Sequence, residues 1–117
     1  MSKDEPRTKS IREKVISDSM SRVRARLGRW LDFNQGRAES MPDESDSPIE
    51  RAADRIYFMR VRPQYASGDF SELPDAEICS SMEFQRVVGG LVIQAELETA
   101  DRESRVKTMC LNYSLKF

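Results

Sequence analysis

Residues 91–98 have the sequence LVIQAELE, and residues 108–117 have the sequence TMCLNYSLKF. In both segments an apolar residue recurs at every second position, which is the period of a β-strand with one buried face. Residues 101–104, between them, are polar and typical of a turn. We therefore predict a C-terminal β-hairpin and a fold of the α+β class.

Two further strands are predicted before this hairpin. Residues 56–62 alternate in the same way, and Pro63 is expected to end that strand. Residues 75–88 also alternate, and we favour a strand there, although Pro74 followed by acidic residues is also an acceptable helix start. Gly89-Gly90 is expected to form a bend. Together these segments predict a small antiparallel sheet of three or four strands.

Two helices are predicted ahead of the sheet. The first begins at Ser10, which stands at capping-box spacing from Glu13. Apolar residues then recur every three or four positions as far as Trp30, and Gly36 offers a residue that tolerates the left-handed conformation at a helix end. The second, 48–56, is short and has proline at its first position.

Charge divides the chain into three parts. Residues 1–37 contain ten Lys or Arg against five acidic residues, whereas residues 38–50 contain five acidic residues and no base. We expect a basic tail and amphipathic helix over 1–37, an acidic flexible linker over 38–47 and a small α+β module over 48–117. Because the charges of the first two parts are opposite, we also expect the linker to compete with anions for the basic helix.

The composition of the 117 residues disfavours most catalytic chemistry. There is no histidine, which removes the usual proton-transfer group and the commonest metal ligand. Cys79 and Cys110 are too few for a thiolate metal site or a disulfide scaffold. We therefore expect no catalytic residue, no metal, no cofactor and no enzymatic activity. Without a signal peptide or a membrane-spanning segment, a soluble protein of the cytoplasm or nucleus is expected.

The first helix supplies the candidate binding residues. Four arginines lie beside its apolar stripe, and guanidinium groups suit phosphate. The predicted contacts with nucleic acid or another anion are Arg22, Arg24, Arg26 and Arg29. The apolar stripe of the same helix would face a membrane or a protein partner through Val23, Leu27 and Trp30.

The module 48–117 is small enough that association with a second copy would help to stabilise it. Its last strand is long and alternating, so we place the oligomer interface there. The predicted interface residues are Leu111, Tyr113, Leu115 and Phe117.

These features favour a non-enzymatic interaction or assembly protein. It would oligomerise through the β-module and bind nucleic acid or nucleoprotein through the basic helix. One alternative is a matrix-like or accessory protein, of a kind that viruses encode, docking on an anionic membrane surface or on a protein partner. A second alternative is a small enzyme that uses carboxylates only. No small-molecule substrate is evident.

Overall fold

A computed structural model describes residues 10–65 and 73–116, with side chains described as far as Met109 in the last helix and with the exception of Tyr65. Every regular element in these two ranges is helical. The elements are α1 (Ile11–Asn34), α2 (Pro48–Ile56), a π-helical turn (Tyr57–Val61), α3 (Arg62–Tyr65), α4 (Asp75–Ser80) and α5 (Met82–Lys116).

Helix α1 begins where the sequence predicts. The Ser10 hydroxyl accepts a hydrogen bond from the Glu13 N–H at 3.1 Å, and the Glu13 carboxylate accepts one from the Ser10 N–H at 3.1 Å. The buried face of α1 carries Met20, Val23, Leu27, Trp30 and Leu31. After the helix ends, Gly36 takes a φ of +77°, a conformation that favours glycine.

Helix α2, the π-helical turn and α3 form one continuous rod. The predicted short helix at 48–56 is confirmed as α2. In the π-helical turn, the Arg62 N–H bonds to the carbonyl of Tyr57, five residues earlier. Pro63 gives the physical reason, because proline has no N–H and its ring clashes with the carbonyl four residues before it. A locally wider turn accommodates that ring without ending the rod.

The first part of helix α5 packs on the core, and the rest of the helix extends beyond the core. Its first residues are capped by Ser81, whose hydroxyl accepts from the Phe84 N–H at 3.1 Å. Phe84, Val88 and Val92 are buried together with side chains of α1 and α2. The 35 residues of the helix span about 50 Å. We call the part beyond the core, residues 93–116, the projecting half of α5.

The predicted α+β class is wrong. No strand forms in the described part of the chain, so the antiparallel sheet and its C-terminal hairpin are replaced there by helices. The predicted strand at 56–62 is the end of α2 with the π-helical turn. Tyr57 and Val61, four residues apart, share the buried side, whereas Met59 between them is exposed. For residues 75–88 the helical alternative is correct, as α4 and the start of α5.

The two predicted strands of the hairpin, with the turn between them, are all part of α5. The helix runs through residues 101–104, where the turn was expected. It also runs through Gly89-Gly90, where we predicted a bend. The alternation arose because α5 carries apolar residues on more than one side, which gives a period of two without a sheet.

Candidate functional site

A buried ion pair joins α1 to α2. The Arg26 side chain is only 4% exposed, and its Nε and Nη2 atoms donate to the two carboxylate oxygens of Asp54 at 2.8 and 3.2 Å. Nη2 also donates to the carbonyl oxygen of Asp43 at 2.6 Å. The hydrogen bond with Asp54 raises the pKa of Arg26 and outweighs the opposing effect of desolvation. Arg26 is therefore a fixed positive charge at the junction of α1, α2 and the segment between them.

Trp30 completes this network from the next turn of α1. Its indole Nε1 donates to Asp54 Oδ1 at 2.8 Å. The indole ring stacks on Tyr57 with 5.1 Å between ring centroids and meets Phe58 edge-on at 4.9 Å. Asp54 thus accepts from both residues of α1, and the aromatic rings cover the tryptophan. The arrangement orients α1 on α2, which is a structural role for Arg26.

The other predicted arginines of α1 are placed differently from one another. Arg22 donates from Nη2 to the Ser47 hydroxyl at 2.8 Å. Arg24 forms an exposed ion pair with Asp75 at 2.9 Å, and Arg29 is exposed without an ion pair to a described residue. Phosphate binding by these four arginines stays a prediction. Arg26 is buried, and its Nε and Nη2 donors are engaged internally. Arg22 and Arg24 each use one of their several N–H donors in a hydrogen bond with a described residue, whereas Arg29 uses none.

The predicted membrane-facing residues lie in the core. Val23 and Leu27 are almost completely buried, and Trp30 is buried under the aromatic cluster. A membrane or partner would meet these side chains only if α1 separated from α2 and α5. In the described arrangement they stabilise the body of the protein.

Among its described residues, the projecting half of α5 carries four exposed large apolar side chains. None of its described side chains, from Ile93 to Met109, is buried. Ile93 and Leu97 are 59% and 66% exposed, and Val106 and Met109 are each 57% exposed. These four lie on two sides of the helix, Ile93 with Leu97 on one and Val106 with Met109 on the other.

The predicted interface residues fall at the end of this helix. Leu111, Tyr113 and Leu115 belong to α5, but their side chains lie outside the described residues, as does Phe117. The interface assigned to them stays a prediction, although the strand on which it was placed is a helix.

Charge is ordered along the projecting half. Four acidic residues occupy 96–103, with Arg102 as the single base among them, and the bases Arg105 and Lys107 follow. One ion pair, Arg105 with Asp101 at 2.8 Å, links the two charge blocks within the helix. The helix therefore has a negative segment followed by a positive one.

No candidate metal centre emerges from the described side chains, since no three His, Cys, Asp or Glu residues among them are grouped closely enough to hold an ion. Likewise, none of the described helices combines the length and apolar character needed to cross a membrane. Cys79 is an exposed free thiol.

The sequence patterns did not lead us to predict two features, which are the role of Asp54 and the helical projecting half of α5. The role of Asp54 has no sequence signal, because its partner Arg26 lies 28 residues away and acidic residues of a helix are usually solvated. The projecting half of α5 did have a signal. Residues 94–107 are rich in Gln, Glu, Ala, Leu, Arg and Lys, which favour helix over strand.

Comparison with protein-family models, with curated proteins and with solved structures finds no match to this chain.

Proposed function

We propose that this chain is a non-enzymatic assembly protein. In this proposal, the projecting half of α5 extends from the helical body and binds a second copy of the same chain. The observation that carries the proposal is the exposure of Ile93, Leu97, Val106 and Met109 on a helix that has left its own core. Binding of nucleic acid by α1, or docking on a membrane, stays a prediction beside it.

The energetics of the projecting half support a partner. Most helix stability in proteins comes from packing of an apolar face, and none of the described side chains of the projecting half is buried by such packing. Burial of exposed apolar area contributes about 25 cal/mol per Å². Covering the apolar side chains of two such helices would therefore stabilise both the contact and the helices themselves.

The order of charge along α5 supports a second copy as the partner. When two copies of this helix lie antiparallel, the acidic segment 96–103 of one faces the basic Arg105 and Lys107 of the other. A parallel pair would place acid against acid and base against base. Charge complementarity of this kind selects the orientation and the partner more than it adds affinity.

We also propose that the protein resides in an intracellular, reducing compartment. It is supported by the exposed free thiol of Cys79, since exposed thiols persist where the environment is reducing.

Sedimentation velocity with multi-angle light scattering tests the assembly. Over about 1–100 μM, which brackets ordinary micromolar association, we expect the wild-type chain to pass from monomer to oligomer. The double variant Leu97→Glu with Val106→Glu places a charge on each apolar side of the projecting half. It should remain monomeric throughout.

The matched control is Met41→Glu with Met82→Glu. These methionines are 58% and 79% exposed, and both lie outside the projecting half. This variant should associate as the wild type does. A wild-type chain that stays monomeric, or an equal loss of association in both variants, contradicts the proposal.

A further inference from the structure

Three arginines outside α1 line one groove between α2 and α5. Arg51 and Arg55 stand one turn apart on α2, and Arg86 faces them from α5 across a groove of about 200 Å³. All three side chains are exposed. None of them forms an ion pair or hydrogen bond with a described residue, unlike Arg22, Arg24 and Arg26 of α1.

The groove has little negative charge of its own. Glu83 is the one acidic residue among those that line it, and its carboxylate accepts a hydrogen bond from the Ser81 hydroxyl at 3.3 Å. The floor is formed by the buried Ala52 and the half-buried Val87. Three guanidinium groups therefore surround a shallow apolar floor with a single carboxylate at its edge.

Acidic residues lie on the other side of the α2 arginines. Glu44 and Asp46 line a second cleft together with Arg51 and Arg55, yet no ion pair joins them. They belong to the acidic segment between α1 and α2. They are close enough to attract these arginines through solvent, but the guanidinium groups keep their hydrogen-bond donors available for another ligand.

The chemistry of the groove favours phosphate. Guanidinium groups bind phosphate oxygens through paired N–H donors, and residues one turn apart on a helix have Cβ atoms about 5–6 Å apart. A volume of about 200 Å³ is below the roughly 300–1,000 Å³ of small-molecule sites, so the groove is too small to enclose a whole small molecule of that class.

The geometry of the groove favours a single strand and no base recognition. The three guanidinium groups flank a small surface groove between two neighbouring helices, which a flexible single strand can follow more closely than a stiff duplex. The groove has no aromatic lining on which bases could stack. Contacts with the phosphate backbone position a nucleic acid without reading its sequence.

We propose that Arg51, Arg55 and Arg86 form a sequence-independent binding site for the phosphate backbone of single-stranded nucleic acid. Glu44 and Asp46 weaken that site at low salt by competing for Arg51 and Arg55. The site is independent of α1 and of assembly through α5, so the variants that abolish assembly leave it in place.

Fluorescence anisotropy with a labelled oligothymidylate of about 20 nucleotides, long enough for an ordinary single-strand site, tests the proposal. The variant Arg51→Ala with Arg55→Ala and Arg86→Ala should bind about tenfold more weakly at low salt. Loss of three phosphate contacts should also reduce the slope of log affinity against log salt by about 2.

The matched control removes the same charge elsewhere, through Arg12→Ala with Lys14→Ala and Arg60→Ala. None of these three side chains forms an ion pair or hydrogen bond with a described residue, and circular dichroism verifies that both triple variants fold. The control should reduce affinity much less than the groove variant does, because none of its three substituted side chains lines the groove.

Several outcomes overturn the proposal. They are a wild-type chain that does not bind the oligonucleotide, an equal loss in both triple variants, duplex bound as tightly as single strand, and an acidic peptide bound in place of it. A further variant, Glu44→Gln with Asp46→Asn, should bind more tightly at low salt and as the wild type does at about 0.5 M salt. Unchanged binding at low salt removes the competing role of these two acidic residues.

Discussion

At the scale of single residues, Asp54 stabilises the packing of α2 against α1. It accepts hydrogen bonds from Arg26 and Trp30, and Arg26 is almost completely buried. Replacing Asp54 with alanine leaves that guanidinium in the interior without its counter-ion. We expect Asp54→Ala to lower the free energy of unfolding by about 3 kcal/mol, because removing one partner of a buried pair leaves an uncompensated charge. Urea denaturation followed by circular dichroism measures the loss.

The control for this prediction is Asp32→Ala. Asp32 pairs with Arg37 at 2.6 Å, but both side chains are about half exposed. Exposed pairs are worth about 0–1 kcal/mol, so this variant should lose less than 1 kcal/mol. Equal losses in the two variants would show that burial of Arg26 does not set the cost.

Two glycines give opposite predictions from the same substitution. Gly28 lies inside α1, and a Cβ there would meet nothing within 4 Å. Gly36 has equally open space but a φ of +77°. We expect Gly28→Ala to stabilise the fold by about 0.5–1 kcal/mol and Gly36→Ala to destabilise it by about 1 kcal/mol. Denaturant unfolding measures both, and a shift of the same sign in the two variants contradicts the backbone explanation.

At the scale of elements, the sequence predicted α1 and α2 but not α5. The capping box at Ser10 and the proline at position 48 are local signals, and both helices pack one apolar stripe on the core. The projecting half of α5 has no core against which a single stripe must form. Ile93, Ala95 and Leu97 therefore satisfy a period of two, and this alternation predicted a strand in spite of the helix propensity of the segment.

Less of the candidate surfaces than of the helices could be predicted from the sequence. The sequence shows that α1 is basic and amphipathic, but it cannot show that Arg26 turns inward to Asp54. Nor can it show that Arg86 faces Arg51 across a groove, because their elements meet only through tertiary packing. Spacing along the chain predicts which residues share a face of one helix, and it carries no information on which faces meet.

The helical state of the projecting half can be tested by a proline. Ala100 is exposed within α5, and proline at an interior helix position costs about 3 kcal/mol or more. At about 1 μM, where we expect the chain to be monomeric, Ala100→Pro should reduce ellipticity at 222 nm and leave the unfolding of the core unchanged, because Phe84, Val88 and Val92 lie before it. Ala100→Gln, which keeps a good helix former, should preserve the signal. Unchanged ellipticity in the proline variant would contradict a helix at this position.

At the scale of the whole molecule, assembly and stability are coupled. None of the described side chains of the projecting half is buried in the single chain, so a partner would bury apolar surface that is otherwise exposed. A partner that binds only the folded chain stabilises it by mass action. We therefore expect the thermal midpoint to rise by about 3 °C for each tenfold increase in protein concentration.

The assembly-deficient variant separates this coupling from the intrinsic stability of the body. In Leu97→Glu with Val106→Glu both substituted positions are exposed, so the body should keep its fold and its midpoint should not depend on concentration. Circular dichroism melts at about 1, 10 and 100 μM, spanning micromolar association, provide the comparison. A wild-type midpoint that is constant over this range contradicts assembly through α5, because association that is confined to the folded state must stabilise it.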